Sequence, residues 1–249
     1  MEQTTAPMRF LIGDTETCGI GPNNKACEIA WIEIDPVTLE IINEDVCQLI
    51  DPQWEITPGA QEIHGITQEM VEHEPTLQEF KDLILGDRYA GCDVTLIGHN
   101  ISFDLPELGK VLPVARTVCT LAWARRLITD SANHKLGTLR EHFGYPEGEA
   151  HRALADCYTT RRVLKELLQR SGFTLEQFAR NGEHTIYVMP YGKHKGTLMA
   201  AVPVPYLKWL WDREELEPNM RESVKKALKT NGVDVPKKGG KFNPEGAVA

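Results

Sequence analysis

Apolar positions come in short runs through the first half of the chain and in a longer, helical period further on. Residues 10–14, 26–35 and 41–50 are apolar and β-branched runs separated by Gly, Pro and Asn, the pattern of a three-stranded antiparallel meander. Residues 67–85 have helical spacing with an interruption near Pro75, which carries no backbone N–H. A fourth strand is predicted at 93–98, a short helix at 105–111, and a fifth strand at 115–120 that leads into helical residues 121–127. Another short helix is expected at 136–143. Residues 153–168 then place Leu154, Tyr158, Val163, Leu164, Leu167 and Leu168 at broadly helical intervals. Strands first in a meander and then linked by helices predict an α/β fold with a mixed five-stranded sheet flanked by helices.

Gly172 and the run Asn181-Gly182-Glu183 mark a boundary, with 174–180 as a connecting helix. One domain is expected at 8–178. A small α+β module follows at 184–230, with a hairpin around 186–196, an apolar stretch at 203–211 and a helix at 219–229. The Pro-, Gly- and Lys-rich residues 231–249 are expected to be a disordered tail. In the module, Trp209 and Trp211 read as fillers of a small core. Tyr191 beside Lys193, His194 and Lys195 reads either as a stacking and phosphate-binding turn or as a solvated one.

The chemistry sits in three packets. The first strand runs through Phe10-Leu11-Ile12-Gly13 and then delivers Asp14-Thr15-Glu16; residues two apart on a strand share a face, so both carboxylates point one way. Two such groups repel and raise each other's pKa unless a cation neutralises them, and Mg²⁺ or Mn²⁺ prefers oxygen ligands of this kind. The second packet runs from Asn100 to Phe103-Asp104, between a strand and a helix start, where Ser102 or Asp104 also reads as a helix cap. The third is His151-Arg152-Ala153-Leu154-Ala155-Asp156. Five helical residues amount to about 140° of net rotation, so His151 and Asp156 cannot share a helical face. Asp156 is therefore placed in the helix and His151 on the loop before it, where an imidazole that titrates near neutrality suits a general base.

In this order the packets resemble the DEDDh family of 3′→5′ exonucleases, which has an RNase H-like fold. Its motifs match Asp14-Thr15-Glu16, Asn100 through Asp104, and His151 with Asp156. The tyrosine branch of the superfamily would need Tyr where this chain has Arg152. Ile63-His64-Gly65-Ile66-Thr67 resembles a family loop that packs against the terminal nucleotide. The resemblance covers roughly residues 8–178. It implies that Asp14, Glu16, Asp104 and Asp156 hold two Mg²⁺ or Mn²⁺ ions, that His151 deprotonates the attacking water, and that nucleoside 5′-monophosphates leave from a 3′ end. It also implies that Thr15, His64, Asn100 and Phe103 seat the last nucleotides. Asn100 reads equally as a turn residue and Phe103 as a core anchor. The opening Asp14-Thr15-Glu16-Thr17-Cys18-Gly19, and a C-terminal module with Tyr191–Lys195 and Tyr206–Leu210, are similar to a DNA-degrading branch of the family. That similarity tips the expected substrate to single- or double-stranded DNA 3′ ends, with RNA as the alternative; a non-catalytic nucleic-acid binder would lack a motif acid, and none is missing.

Composition changes this picture little. No apolar run approaches a membrane span, and residues 1–7 lack a basic start and apolar core, so no membrane association and a cytoplasmic location are expected. The six cysteines form no C-x-x-C pair, which points to buried thiols rather than a zinc ribbon or disulfide framework. A net charge of −9 is unusual for a phosphate-binding protein. Several acids belong to the proposed metal site, and residues 221–241 are locally basic, with Arg221, Lys225, Lys226, Lys229, Lys237, Lys238 and Lys241 against Glu222 and Asp234. A protein partner for the C-terminal module stays open.

Overall fold

The computed structural model describes residues 6–20, 24–146, 151–181, 189, 191–195, 197, 199–213, 215–236 and 242. They divide into two compact units, 1–124 with 130–180, and 125–129 with 181–249.

The first unit is a five-stranded mixed sheet in the order β3-β2-β1-β4-β5. Strands β1 (Met8–Thr17), β2 (Ala26–Glu33) and β3 (Val46–Leu49) form the antiparallel meander. Strands β4 (Asp93–Gly98) and β5 (Val114–Cys119) add in parallel beside β1. Helices cover the sheet, so β2 is buried at every position, as expected of a central strand with both faces covered. The third strand is shorter than the 41–50 run. Leu39 takes a positive φ of 61°, the Asp35 carboxylate accepts from the Val37 and Thr38 amides, and Ile41 keeps only an isolated bridge to Ile34.

The stretch before β4 is broken into pieces. Helix α1 (Pro58–His64) starts on Thr57, whose hydroxyl accepts from the Ala60 amide, and ends at Gly65 with φ 71°. Helices α2 (Gln68–Val71) and α3 (Leu77–Glu79) flank Pro75, and a π-helical turn, Phe80–Leu85, continues α3. Phe80 and Tyr89 meet Trp31 edge-on, and the indole N–H donates to the Tyr89 hydroxyl at 3.1 Å. Helix α4 (Leu105–Val111) follows β4; α5 (Thr120–Leu127) follows β5; α6 (Leu136–His142) comes next.

The long helix α7 (Ala153–Ser171) lies against β1 and β2. Its buried positions Ala153, Cys157, Thr160, Val163, Leu164 and Leu167 recur at three- and four-residue steps, one apolar stripe toward the sheet. Helix α8 (Leu175–Asn181) follows, and its Phe178 stacks on Trp123 with centroids 3.7 Å apart.

In the second unit, α9 (Val204–Trp211) and α10 (Pro218–Thr230) enclose a core of Leu207, Leu210, Trp211, Met220, Val224 and Leu228. Trp211 fills that core as expected. Trp209 does not: it is 50% exposed, because Leu207 and Leu210 already occupy the inward positions of α9. Of the hairpin expected around 186–196, residues 186–188, 190 and 196 lie outside the described residues; Met189 is buried and its amide donates to the Thr197 carbonyl. Within the stretch read as a tail, the Phe242 amide donates to Asp212 at 2.9 Å.

All six cysteines are free, and Cys18, Cys27, Cys119 and Cys157 are buried. No helix among the described residues is long and apolar enough to cross a membrane.

Candidate active site

The two carboxylates of β1 and the one from α7 converge. Oxygen atoms of Asp14, Glu16 and Asp156 lie within 4.8 Å of one another. The strand pleat places Asp14 and Glu16 on one side, and packing of α7 across β1 and β2 brings Asp156 over them. Burial raises the Asp14 carboxyl well above the carboxylate range, and the neighbouring charges of Asp104, Asp156, Glu16 and Glu28 add to it. Burial together with Asp156 and Glu28 pushes Glu16 up to about 8. Asp156 is raised by burial, with His151 and Arg140 pulling the other way. Acids held this close, in a shielded place, suit a divalent cation that removes their repulsion and takes hard oxygen ligands.

Asp104 stands beside this trio rather than inside it. Its Oδ1 accepts from the Thr15 amide at 3.0 Å and from the Thr15 hydroxyl at 2.8 Å, which leaves Oδ2 for another partner. Burial raises it to about 7 even against those two bonds. Its place depends on close backbone approach: a Cβ on Gly98 would come 2.6 Å from Ile101 Cδ1 and 3.3 Å from the Gly13 carbonyl. That gap lets the turn carrying Asn100 to Asp104 fold back over the ends of β4 and β1.

His151 sits in the turn before α7, exposed, with φ 64°. The helix start below it is held by a residue that the motifs do not include. Glu28 of β2, fully buried, lies opposite Glu16 in the register and accepts from the Ala153 amide at 2.9 Å. The Arg152 guanidinium closes on the same carboxylate: Nε reaches both oxygens at 3.1 Å, and Nη2 donates to Oε1. A carboxylate from the sheet thus supplies the anion that the N-terminus of α7 favours. The signal in the sequence was a glutamate inside an otherwise apolar strand, which demands a buried cationic partner.

The proposed nucleotide-seating residues separate. Phe103 and His64 line a cavity of about 680 Å³ with Glu16, Thr57, Ile20 and Ile63. Phe103 is 41% exposed, so it is not a core anchor. His64 is buried with both nitrogens engaged: Nδ1 accepts from the Ile66 amide, so Nε2 carries the proton and donates to the Thr17 carbonyl at 3.2 Å. Burial lowers its pKa, and it offers the cavity a neutral ring surface. Thr15 is buried and spends its hydroxyl on Asp104. Asn100 has φ 74°, is exposed, and accepts from Ser102, the geometry of a turn residue.

A model of the exonuclease family typified by RNase T matches residues 11–164. This chain belongs to the DEDD exonuclease family. It is a nucleic-acid-degrading 3′→5′ exonuclease of that type, and divalent metal use is general in the family. Exodeoxyribonuclease 10 of Escherichia coli K12 is 31% identical over 86% of this chain and 96% of its own length. The solved structure of exonuclease X with 5′-overhanging duplex DNA is 32% identical over 69% of this chain and 98% of that one, with a TM-score of 0.54. Exonuclease I of Escherichia coli, solved with a dT13 oligonucleotide, is 21% identical over 66% of this chain and 42% of that one, TM-score 0.57, a likeness of fold. The mixed sheet with flanking helices is thus the RNase H-like arrangement. Residues 183–234 match a family described as "Putative quorum-sensing-regulated virulence factor", a name that specifies no chemistry.

Proposed function

We propose that this DEDD exonuclease removes nucleotides from DNA 3′ ends, using Mg²⁺ or Mn²⁺ held by Asp14, Glu16, Asp104 and Asp156. The observation that carries the reading is the convergence of three carboxylates within 4.8 Å, with Asp104 alongside and His151 at the mouth of the same helix. Two bound divalent ions would supply charge stabilisation to the attacking and departing oxygens of an in-line displacement.

The chain's own residues do the rest. A ring nitrogen of His151 accepts the proton of the attacking water, a role open to an exposed loop imidazole next to the acids. Thr15 fixes the Asp104 carboxylate and so its free oxygen. Glu28 and Arg152 fix the start of α7, and with it the relative positions of His151 and Asp156. Phe103, with the ring face of His64 and the side chain of Ile63, offers the terminal base an apolar seat. Asn100 shapes the turn that presents Phe103. The products are nucleoside 5′-monophosphates, because the water attacks phosphorus and the 3′ oxygen leaves.

DNA is favoured over RNA by the relatives named above, one called an exodeoxyribonuclease and another solved with duplex DNA. Single-stranded DNA, duplex DNA and RNA of one sequence, each labelled at the 5′ end, test this directly. DNA should be shortened from its 3′ end faster than RNA; equal or faster loss of RNA refutes the substrate assignment and leaves the catalytic one standing.

A further inference from the structure

The second unit carries a row of aromatic and cationic groups on its surface, with Trp209 and Arg213 exposed, and Tyr206 and His194 half-buried, Tyr206 against the edge of the core. The spacing of Tyr206, Trp209 and Arg213 puts them on one face of α9 and its C-terminal extension, opposite Leu207, Leu210 and Trp211. They are in contact in series: the ring centroids of Tyr206 and Trp209 are 5.1 Å apart, and the Arg213 guanidinium lies 4.9 Å from the Trp209 centroid. The imidazole of His194 extends the row, edge-on to Tyr206 at 4.6 Å.

The turn that supplies His194 is fitted to this face. Gly192 has φ 76°, and a Cβ there would sit 2.7 Å from the Tyr206 hydroxyl, so only glycine allows the backbone this close. The turn is closed by the Lys195 amide on the Gly192 carbonyl at 3.1 Å. Tyr191, Lys193 and Lys195 on it are exposed.

Charge selects the ligand. From Met189 through Trp211 the chain has Lys193, Lys195 and Lys208 and no acid, in a protein of net charge −9; Arg213 follows between Asp212 and the acids Glu214, Glu215 and Glu217. The Asp212 carboxylate is taken by the Phe242 amide. A half-exposed indole flanked by a guanidinium, with lysines a few residues away, matches a strand of unpaired bases with phosphates between them.

We propose that this face, His194–Tyr206–Trp209–Arg213 with the Tyr191–Lys195 turn, is a binding surface for single-stranded DNA. Bases stack on Trp209 and Tyr191, and phosphates meet Lys193, Lys195 and Arg213. The choice of DNA rests on the nuclease reading above. Function for the surface follows from that: it retains the single-stranded substrate while the nuclease unit shortens it.

The test is binding of a fluorescein-labelled dT20 to the full chain in EDTA, read by anisotropy over a range of KCl. Turnover is absent there, so the result is independent of whether the chain hydrolyses DNA, which the Asp14→Ala variant reports separately. Trp209→Ala should weaken binding on the order of ten-fold, and Trp209→Phe should restore most of it, since every base has a π-face to stack on an aromatic ring. The double variant Lys193→Ala/Lys195→Ala should flatten the log–log salt dependence, its slope falling by about 0.7 for each phosphate that is no longer neutralised. Exposure of these side chains keeps the fold intact, and circular dichroism verifies it. Unchanged affinity in folded Trp209→Ala, or an unchanged salt slope in the lysine double variant, overturns the proposal.

Discussion

Arg152→Ala strips the cation from a carboxylate that is 1% exposed, while Arg152 itself is 37% exposed. Glu28 would keep the Ala153 amide as a bond and lose both Arg152 nitrogens. Breaking a buried pair from one side costs about 3–5 kcal/mol, and the half-open arginine puts this case at the low end, about 3 kcal/mol. At roughly 2–4 °C per kcal/mol for a domain of this size, the melting temperature should fall by about 6–12 °C. Glu28→Gln removes the buried charge instead, leaves an amide oxygen for the Ala153 N–H and frees Arg152 toward solvent, for about 1–2 kcal/mol. The double variant Glu28→Gln/Arg152→Ala should therefore be more stable than Arg152→Ala alone. Arg152 also draws the Glu16 pKa down, against burial, Asp156 and Glu28, so in the metal-free protein Arg152→Ala should let Glu16 keep its proton to higher pH and the second substitution should reverse this. Thermal denaturation in EDTA and a pH titration of the metal-free protein read the two effects. A melting temperature for Arg152→Ala within about 2 °C of wild type, or a double variant no more stable than Arg152→Ala, refutes the idea that Glu28 and Arg152 lock the helix start.

His151→Ala should lower the rate by roughly 10²–10⁴ and leave divalent-ion binding, followed calorimetrically, in place; a wild-type rate across pH would make His151 a bystander. Because Glu16 and Asp104 are raised to about 8 and about 7, the metal-free fold holds protons that the unfolded chain releases near pH 4, so its stability should decline as pH rises from about 4 to 8. Millimolar Mg²⁺ should flatten that decline in differential scanning fluorimetry, and a metal-free melting temperature that climbs over the same range would contradict the assigned shifts. Phe103→Ala should raise KM on the order of ten-fold with kcat changed far less, as expected for loss of one base stack; an unchanged KM removes Phe103 from the seat. Gly98→Ala should cost about 1–3 kcal/mol by overpacking against Ile101 and reduce activity through Asp104, and a fully active, equally stable variant would show that the turn has slack.

The sheet and the clustering of Asp14, Glu16 and Asp156 were legible for a shared reason: strand alternation and motif spacing are local, and they survive in the sequence as periods and fixed intervals. The pair Asp14 and Glu16 follows from the pleat alone. Helix α1 escaped because Pro58–His64 buries only Ala60 and His64 and so shows no apolar period, although Thr57 before Pro58 and Gly65 at its end are the start and stop signals of a helix. The π-helical turn at Phe80–Leu85 has no sequence signature of its own. Thr15 and His64 were assigned to substrate from motif position, and only three dimensions show that the Thr15 hydroxyl is spent on Asp104 and the His64 nitrogens on Ile66 and Thr17. Glu28 and Arg152 lie 124 positions apart, so their union depends on how α7 packs on β2. Trp209 was misplaced because an aromatic in a small module is usually core, and the rotation of α9 decides otherwise.

The chemistry proposed for the carboxylate cluster is hydrolysis of DNA from the 3′ end with a divalent ion. A 5′-labelled oligonucleotide incubated with wild type and with folded Asp14→Asn, each in Mg²⁺ and in EDTA, tests it most directly. Wild type in Mg²⁺ should give a ladder shortening from the 3′ end with nucleoside 5′-monophosphates released, and the other three reactions should leave the substrate at least about a thousand-fold longer-lived. Laddering in EDTA, or by Asp14→Asn at a rate near that of wild type, would show that the cluster and its divalent ion do not carry out the hydrolysis.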